Sequence, residues 1–195
     1  QLGEASGDGV VFDGARLAKA QGAGAAFAGA SFKGADLSGS SWERAKLPRA
    51  SFEGANLRGA SLTRAGCADA TFADAELSRA DLQRLGADRA EFRGASLDGA
   101  DLRKASLAEA KLADVAMHRA QADKANLARA SLAGADLRGS SLRAATLTGA
   151  NLSCARLEGA DLRDADLTGA VLRGASRDGA KLAGAVLTGA DLGDA

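Results

Sequence analysis

Residues 31–60 read SFKGADLSGSSWERAKLPRASFEGANLRGA, and the same five-residue pattern continues in phase through all 195 residues. When the chain is divided into blocks of five from Gln1, position 5 is Ala in 34 of the 39 blocks, and position 2 is Leu in 25 and Phe in six. An α-helix advances 100° per residue, so a period of five would spread these apolar residues around its whole surface. The pattern therefore argues against a bundle of amphipathic helices.

An extended chain explains the pattern only if it turns once in every block. In a strand, the Ala at position 5 and the Leu at the following position 2 share a face, with position 1 pointing outward between them. The next Ala comes three residues later, so the chain has to turn within positions 3 and 4 to keep both residue types buried. Position 4 is Gly in 19 blocks, and Gly adopts a left-handed turn conformation at the lowest cost. The sequence predicts a coil of short strands and corners.

Phenylalanine gives the number of sides of this coil, because each side chain in a stacked solenoid rests on its equivalent in the next turn. Five of the six lie twenty residues apart, at Phe12, Phe32, Phe52, Phe72 and Phe92. Four blocks therefore make one turn. Exchanges of large and small residues fit this stacking: Gly22 lies one turn below Trp42, and Leu85 at position 5 is followed by Ala87 at position 2.

The prediction is an all-β, four-sided parallel coil of about ten turns and about 47 Å length, at a coil spacing of about 4.8 Å. We expect residues 1–195 to form one domain. The first coil (residues 1–25) and the last coil (residues 176–195) are expected to be less regular, because Gly7 and Arg177 interrupt the apolar position 2 there.

The blocks Ala35-Asp36-Leu37-Ser38-Gly39 and Ala55-Asn56-Leu57-Arg58-Gly59 resemble the pentapeptide repeat family over the whole chain. The resemblance implies a right-handed quadrilateral β-helix. The family includes proteins that protect DNA gyrase by imitating duplex DNA with an acidic rod, which dimerises through C-terminal helices. This chain differs in both respects, because its net charge is zero and its repeats run to its last residue.

Composition excludes several classes of protein. Lys and Arg number 25, as do Asp and Glu, so the chain as a whole lacks the positive charge of a general nucleic-acid binder. No apolar run approaches the roughly 18 residues of a membrane helix, and the first thirty residues lack a signal-peptide pattern. Two cysteines do not make a disulfide framework. We therefore expect a cytoplasmic protein with no membrane or nucleic-acid partner.

Residues with the chemistry of an active site are few. His118 is the only histidine; it lies at position 3 and is expected to be a solvated surface residue. Cys67 at position 2 should be buried, and Cys154 at position 4 should face outward. The recurrent carboxylates at position 1 match the residue types that the family uses on its outer surface. The sequence therefore predicts no enzyme, and no catalytic, cofactor or metal residues; the position-1 carboxylates are Asp36, Asp81, Asp101, Asp136, Asp161, Asp166 and Asp191.

The one unusual charge pattern is a column of cations at position 4. The twenty-residue turn places five of them on the same corner of successive coils: Arg44, Arg64, Arg84, Lys104 and Lys124. The next corner alternates in sign instead, through Arg49, Asp69, Arg89, Glu109 and Arg129. We call the first column the basic ridge.

Two interpretations of the basic ridge stay open at this point. The ridge is a solvated corner paired with nearby carboxylates, for which Glu43, Asp81, Asp101 and Asp123 are the candidates, or it faces an anionic partner such as an acidic protein, a nucleic-acid backbone or a phospholipid surface.

The function most compatible with the sequence is a non-enzymatic rod that binds a protein partner or acts as a spacer. The chain begins at Gln1 and has no capping pattern at its end, so we expect it to be part of a larger protein. Uncapped coils also expose strand edges that are able to pair end to end with another copy. Protection of a topoisomerase such as DNA gyrase is the alternative function.

Overall fold

A computed structural model describes residues 1–193. Within these residues there are no helices and no strands longer than one bridged residue. In the blocks from Ser6 to Val171, position 1 instead forms an isolated parallel β-bridge with the residue twenty positions later, from Ser6 with Ala26 to Val171 with Asp191. The expected short strands are thus reduced to single bridges, because the chain turns again after three extended residues.

The bridges fall into four columns, which define four faces of a coil with twenty residues per turn. The bridged residues occur every twenty positions, on face A from Gln21 to Lys181, on face B from Ser6 to Val186, on face C from Val11 to Asp191 and on face D from Arg16 to Ser176. Successive faces are joined by a corner made of positions 3 and 4. The predicted four-block turn is confirmed by this register.

Each corner is a type II turn, which has a positive φ at its third residue. The position-5 N–H donates to the position-2 carbonyl of the same block, as in Ala35 N to Phe32 O at 3.0 Å. Position 4 has a positive φ in every described block, whether it is Gly34 at 60° or Arg44 at 57°. The repeat therefore forces non-glycine residues into the left-handed region at half of its corners.

The backbone hydrogen bonds explain why Asp and Asn recur at position 1. The N–H groups of positions 1, 2 and 4 bond to carbonyls of adjacent coils, as Asp36 N does to Ala15 O at 3.0 Å and Leu37 N to Asn56 O at 2.7 Å. Position 3 has no such backbone partner, and the Asp36 carboxylate accepts the Ser38 N–H at 3.0 Å. A buried or half-buried N–H without a partner is costly, so the position-1 side chain is a structural acceptor.

The interior is filled by positions 2 and 5, as predicted. Ring centroids of Phe32 and Phe52 are 5.0 Å apart and their planes differ by 4°; the rest of the series stacks in the same way, at 4.7 to 4.9 Å, through Phe12, Phe72 and Phe92. A Cβ on Gly22 would lie 2.5 Å from Trp42 Cε3. The large and small residues are therefore complementary between coils, which confirms the predicted stacking of Trp42 over Gly22.

Ser40 is one of the few position-5 residues other than Ala, and Trp42 explains it. The indole Nε1–H donates to Ser40 Oγ at 2.8 Å, and Ser40 Oγ in turn donates to Leu37 O at 2.5 Å. Both side chains are buried. A buried indole needs an acceptor, and alanine at position 40 would supply none.

No helix among the described residues is long and apolar enough to cross a membrane. Apolar side chains are most exposed near the two ends of the described coil, where Val11 is 66% exposed, Val186 46% and Leu192 39%. Between these ends, the core at positions 2 and 5 is continuous.

Candidate interaction surface

The basic ridge lies on the corner between faces A and B. Its five side chains are exposed, and each projects from a residue with φ between 57° and 62°. Because the ladder repeats at about 4.8 Å, adjacent cations are held at that spacing by the backbone. Side-chain flexibility lets the charged groups spread, but the attachment points are fixed.

Among residues 1–193, none of the five ridge cations forms an ion pair or a side-chain hydrogen bond. The candidate carboxylates beside it have other partners. Asp101 pairs with Arg103 Nη2 at 2.5 Å, and Asp123 accepts the Arg143 N–H at 3.1 Å. Asp81 accepts the Gln83 N–H at 3.1 Å. Among residues 1–193, no ion pair joins the ridge to Glu43, Asp81, Asp101 or Asp123. Asp81, Asp101 and Asp123 instead bond to position 3 of their own or the next coil.

The corner between faces B and C shows the opposite behaviour. Arg89 Nε lies 2.8 Å from Asp69 Oδ1 and Arg89 Nη2 lies 2.8 Å from Asp69 Oδ2, so the pair is bidentate. Arg129 pairs with Glu109 in the same column. Opposite charges in this column thus form two ion pairs along the rod, whereas the basic ridge forms none among residues 1–193.

Face B, beside the ridge, carries small residues at its centre. Its outward bridged positions include Gly66 and Gly86, and position 3 of the same face is Ala at Ala68 and Ala108. No long side chain rises from this part of the face to cover the ridge. The ridge therefore borders a low, flat surface that an extended partner is able to approach closely.

Hydrogen bonds to Asp136 and Asp161, both at position 1, favour their charged form. Hydrogen bonds from the Arg138 side chain hold the pKa of Asp136 below its ordinary value. Hydrogen bonds from Arg163 in the same way lower the pKa of Asp161 to about 2. A carboxylate with so low a pKa is a poor general acid or base near neutral pH. Such a carboxylate stabilises the coil by accepting hydrogen bonds.

The remaining residues singled out in the sequence are separate from one another. Cys67 is buried and Cys154 is exposed, and both are free thiols; burial raises the pKa of the Cys67 thiol to about 12. His118 was expected to be solvated, but it is half-buried, with its ring nitrogens 3.8 Å from Asp98 Oδ1 and 3.7 Å from Asp136 Oδ1. Among residues 1–193, no three His, Cys, Asp or Glu side chains are grouped to hold a metal ion.

Arg79 and Arg119, on the corner between faces D and A, are residues that the sequence did not predict to be functional. They flank Gly99 in one position-4 column and, with Asp98 and His118, line an open depression of about 500 Å³. The signal was present as the series Arg79, Gly99, Arg119, Gly139 at spacings of twenty. This signal is weak, because a glycine separates the two arginines in their column.

The sequence matches the family model described as pentapeptide repeats, with eight copies, over residues 8–41, 25–64, 50–84, 88–121, 125–164 and 165–195. The chain belongs to the pentapeptide repeat family. Members of this family fold as right-handed quadrilateral β-helices, so this is the fold class of the chain. A comparison with curated protein sequences found no match.

Solved structures of family members resemble the chain along most of its length. HetL, a pentapeptide repeat protein involved in heterocyst differentiation regulation in the cyanobacterium Nostoc sp. strain PCC 7120, is 29% identical over 94% of this chain and 87% of its own, with a TM-score of 0.44. Two trypsin-treated variants of QnrB1, a plasmid-mediated fluoroquinolone resistance protein, are 22% and 21% identical over 91% of this chain and 89% and 90% of theirs, with TM-scores of 0.53 and 0.52. The likeness to QnrB1 supports the fold alone.

Proposed function

We propose that this chain is a non-enzymatic interaction rod and that its basic ridge binds an acidic surface of a protein partner. The observation that carries the proposal is the contrast between two adjacent corners: the ridge has five cations without partners, whereas the next corner pairs Arg89 with Asp69 and Arg129 with Glu109. Like charges in one column repel, by roughly 1 kcal/mol per adjacent pair in water. A partner with carboxylates relieves that repulsion on binding.

A protein partner fits the surroundings of the ridge better than a nucleic acid does. A nucleic-acid backbone binds broad positive surfaces, because affinity grows with the number of phosphates neutralised. The ridge is one residue wide, and face A beside it presents Asp81 and Asp101. The low surface around Gly66 and Gly86 on the other side leaves room for a narrow segment of polypeptide. An acidic extended segment lying along the rod satisfies both constraints.

The rod itself provides the length of the surface. We propose that residues 1–195 form a single domain of about ten coils, about 47 Å long at a spacing of about 4.8 Å per coil, with the first and last coils less regular. Repeat rods of this kind present extended binding surfaces. The free thiols of Cys67 and Cys154 fit the cytoplasmic location that we propose.

Binding to poly-glutamate, measured by fluorescence anisotropy at low and high salt, tests the ridge. We expect salt-sensitive binding that is lost, by tenfold or more, in the triple variant Arg64→Ser, Arg84→Ser and Lys104→Ser, since each lost charge contact weakens binding several-fold. The matched control is Arg49→Ser, Arg89→Ser and Arg129→Ser, which removes the same charge from the neighbouring corner. We expect its binding to change by less than about threefold.

Three outcomes overturn the proposal. The first is that the parent protein fails to bind poly-glutamate at low salt. The second is that the two triple variants lose binding equally, and the third is that duplex DNA of the same charge binds more tightly than poly-glutamate does. The last result would replace the acidic protein with a nucleic acid.

A further inference from the structure

A second anionic ligand is indicated on a different corner, between faces D and A. Arg79 and Arg119 lie two coils apart in one position-4 column, and Gly99 lies between them. Both arginines are exposed, and neither guanidinium has an ion pair or hydrogen bond to another residue in the 1–193 range. Together with Asp98 and His118 they line the open depression over Gly99.

The corner between faces B and C also has two position-4 arginines two coils apart, but there a carboxylate lies between them. There, Glu109 lies between Arg89 and Arg129, and Arg129 pairs with it. A Cβ added to Gly149, in the following coil, would lie 3.5 Å from Arg129 Cγ. The Arg129 guanidinium nevertheless pairs with Glu109 in the preceding coil. An arginine at position 4 is thus able to pair with an anion one coil before it.

Arg119 has the same placement as Arg129. Its Cγ lies 3.6 Å from the place of a Cβ on Gly139, and Arg119 also lines the depression over Gly99 in the preceding coil. Arg79 approaches from the other side, with its Cγ 3.8 Å from the place of a Cβ on Gly99. The two arginines therefore flank a position that carries no side chain and line one depression with it, whereas the equivalent position on the corner between faces B and C carries the carboxylate of Glu109.

The acidic residue in the depression is already engaged. Asp98 Oδ1 accepts the His118 N–H at 2.9 Å and lies 3.8 Å from His118 Nδ1. The other ring nitrogen of His118 lies 3.7 Å from Asp136 Oδ1, and Asp136 itself pairs with Arg138 at 2.6 Å. Asp98 therefore does not neutralise Arg79 or Arg119 through an ion pair.

We infer that the depression over Gly99 binds a single phosphate group, held between the guanidinium groups of Arg79 and Arg119. A phosphate carries about −1.5 to −2 charges at pH 7, which matches two arginines, and its tetrahedral oxygens accept hydrogen bonds from opposite sides at once. The phosphate comes either from solution or from a phosphorylated side chain of a partner. This site is independent of the basic ridge, since it shares no residue with it.

The test is an amide chemical-shift titration of the purified chain at constant ionic strength, with inorganic phosphate, acetate, a phosphoserine peptide and its unphosphorylated form as separate probes. We expect saturable shifts at Gly99, His118 and Arg119 with phosphate and with the phosphopeptide only. Phosphate without phosphopeptide binding assigns the site to the free ion, and tighter phosphopeptide binding assigns it to a partner side chain.

Gly99→Glu is the decisive variant, because it places a carboxylate between the two arginines and reproduces the Arg89, Glu109, Arg129 arrangement. It should weaken phosphate binding by about tenfold or more, since it removes both charge-assisted contacts from the ligand. Gly159→Glu is the matched control: it lies in the same column, has φ of 67° against 65° for Gly99, and has Gly139 and Gly179 as its column neighbours. It carries the same backbone strain and should leave phosphate binding unchanged.

Several results would overturn the inference. These are equal shifts with acetate and phosphate, equal loss of binding in the two glutamate variants, or no saturable shifts at Gly99 and His118 in the parent. The triple ridge variant should retain phosphate binding here, so that failure of the ridge proposal and failure of this one are separate observations.

Discussion

At position 4, a single backbone torsion decides which residues stabilise the coil. Ala144 has φ of 53°, is exposed, and has no side chain beyond Cβ with which to compensate. A left-handed conformation costs an L-residue roughly 1–2 kcal/mol, and glycine avoids this cost. Glycine also raises the conformational entropy of the unfolded chain, which offsets part of the gain in stability. We expect Ala144→Gly to raise the free energy of unfolding by about 1 kcal/mol, measured by urea denaturation.

The control for this prediction is the same substitution at position 3. Ala128 lies on a corner of the same kind but has no positive φ, so glycine there brings only the entropic cost. Ala128→Gly should lower the free energy of unfolding by about 0.5–1 kcal/mol. If both substitutions destabilise the protein, the left-handed torsion is not the source of strain.

Much of this residue-level structure was predictable from the sequence. The spacing of Phe32 and Phe52 gave the turn, and Gly22 below Trp42 gave the packing. The role of the position-1 carboxylates was not predictable, because it depends on which backbone N–H has no carbonyl partner in the adjacent coil, and only the structure shows that the Ser38 N–H bonds to Asp36. The partners of Asp101 and Asp123 were not predictable for a related reason: proximity in the column does not reveal that Arg103 and the Arg143 N–H bond to them.

At the scale of one coil, the core is two packed layers of position-2 and position-5 side chains. Leu102 has no exposed surface, and its neighbours above and below are the Leu82 and Ala122 layers. Leu102→Ala should cost about 2–5 kcal/mol of unfolding free energy, and Leu102→Asp should cost more, because it buries a charge without a partner. Thermal melts followed by circular dichroism measure both. An unchanged melting temperature in Leu102→Asp would contradict burial.

Along each face, the position-1 carboxylates make the coil sensitive to acid. Hydrogen bonds lower the pKa of Asp136, Asp161 and Asp166 in the folded state. A lowered folded pKa gives stability that is complete above the unfolded pKa of about 4 and is lost as the pH falls through the folded value, which is about 2 for Asp161. The melting temperature should therefore be level from pH 7 to about 5 and fall steadily from about pH 4 to 2.

Asp161→Asn isolates one contribution to this acid sensitivity. The amide oxygen still accepts the Arg163 N–H, as Asn151 does for Ser153 at 3.0 Å, but the ion pair with Arg163 and the titrating group are removed. The variant should be slightly less stable at pH 7 and should lose less stability than the parent between about pH 4 and 2. An unchanged pH dependence would mean that Asp161 contributes nothing to acid unfolding.

For the molecule as a whole, the ends of the described coil differ from its middle. Ser176, Lys181 and Val186 bridge only to the preceding coil among residues 1–193, and Leu187 is 36% exposed. Unpaired edges with apolar side chains favour association with another copy. We expect concentration-dependent oligomers of the purified chain by light scattering, reduced by Leu187→Lys and unaffected by Thr148→Lys on the central surface. A strict monomer at high concentration would contradict this prediction.

Charge over the whole rod decides against imitation of duplex DNA. A duplex mimic needs an acidic surface of one sign to compete for a basic groove, whereas this chain has 25 acidic and 25 basic residues and an unpaired basic column on one corner. In a supercoiling assay with DNA gyrase and a quinolone, the purified rod should leave inhibition unchanged, as should the triple ridge variant. Rescue of gyrase by the parent protein would show that the rod protects the enzyme despite its neutral surface. Rescue by the triple variant alone would identify the ridge as the feature that prevents protection.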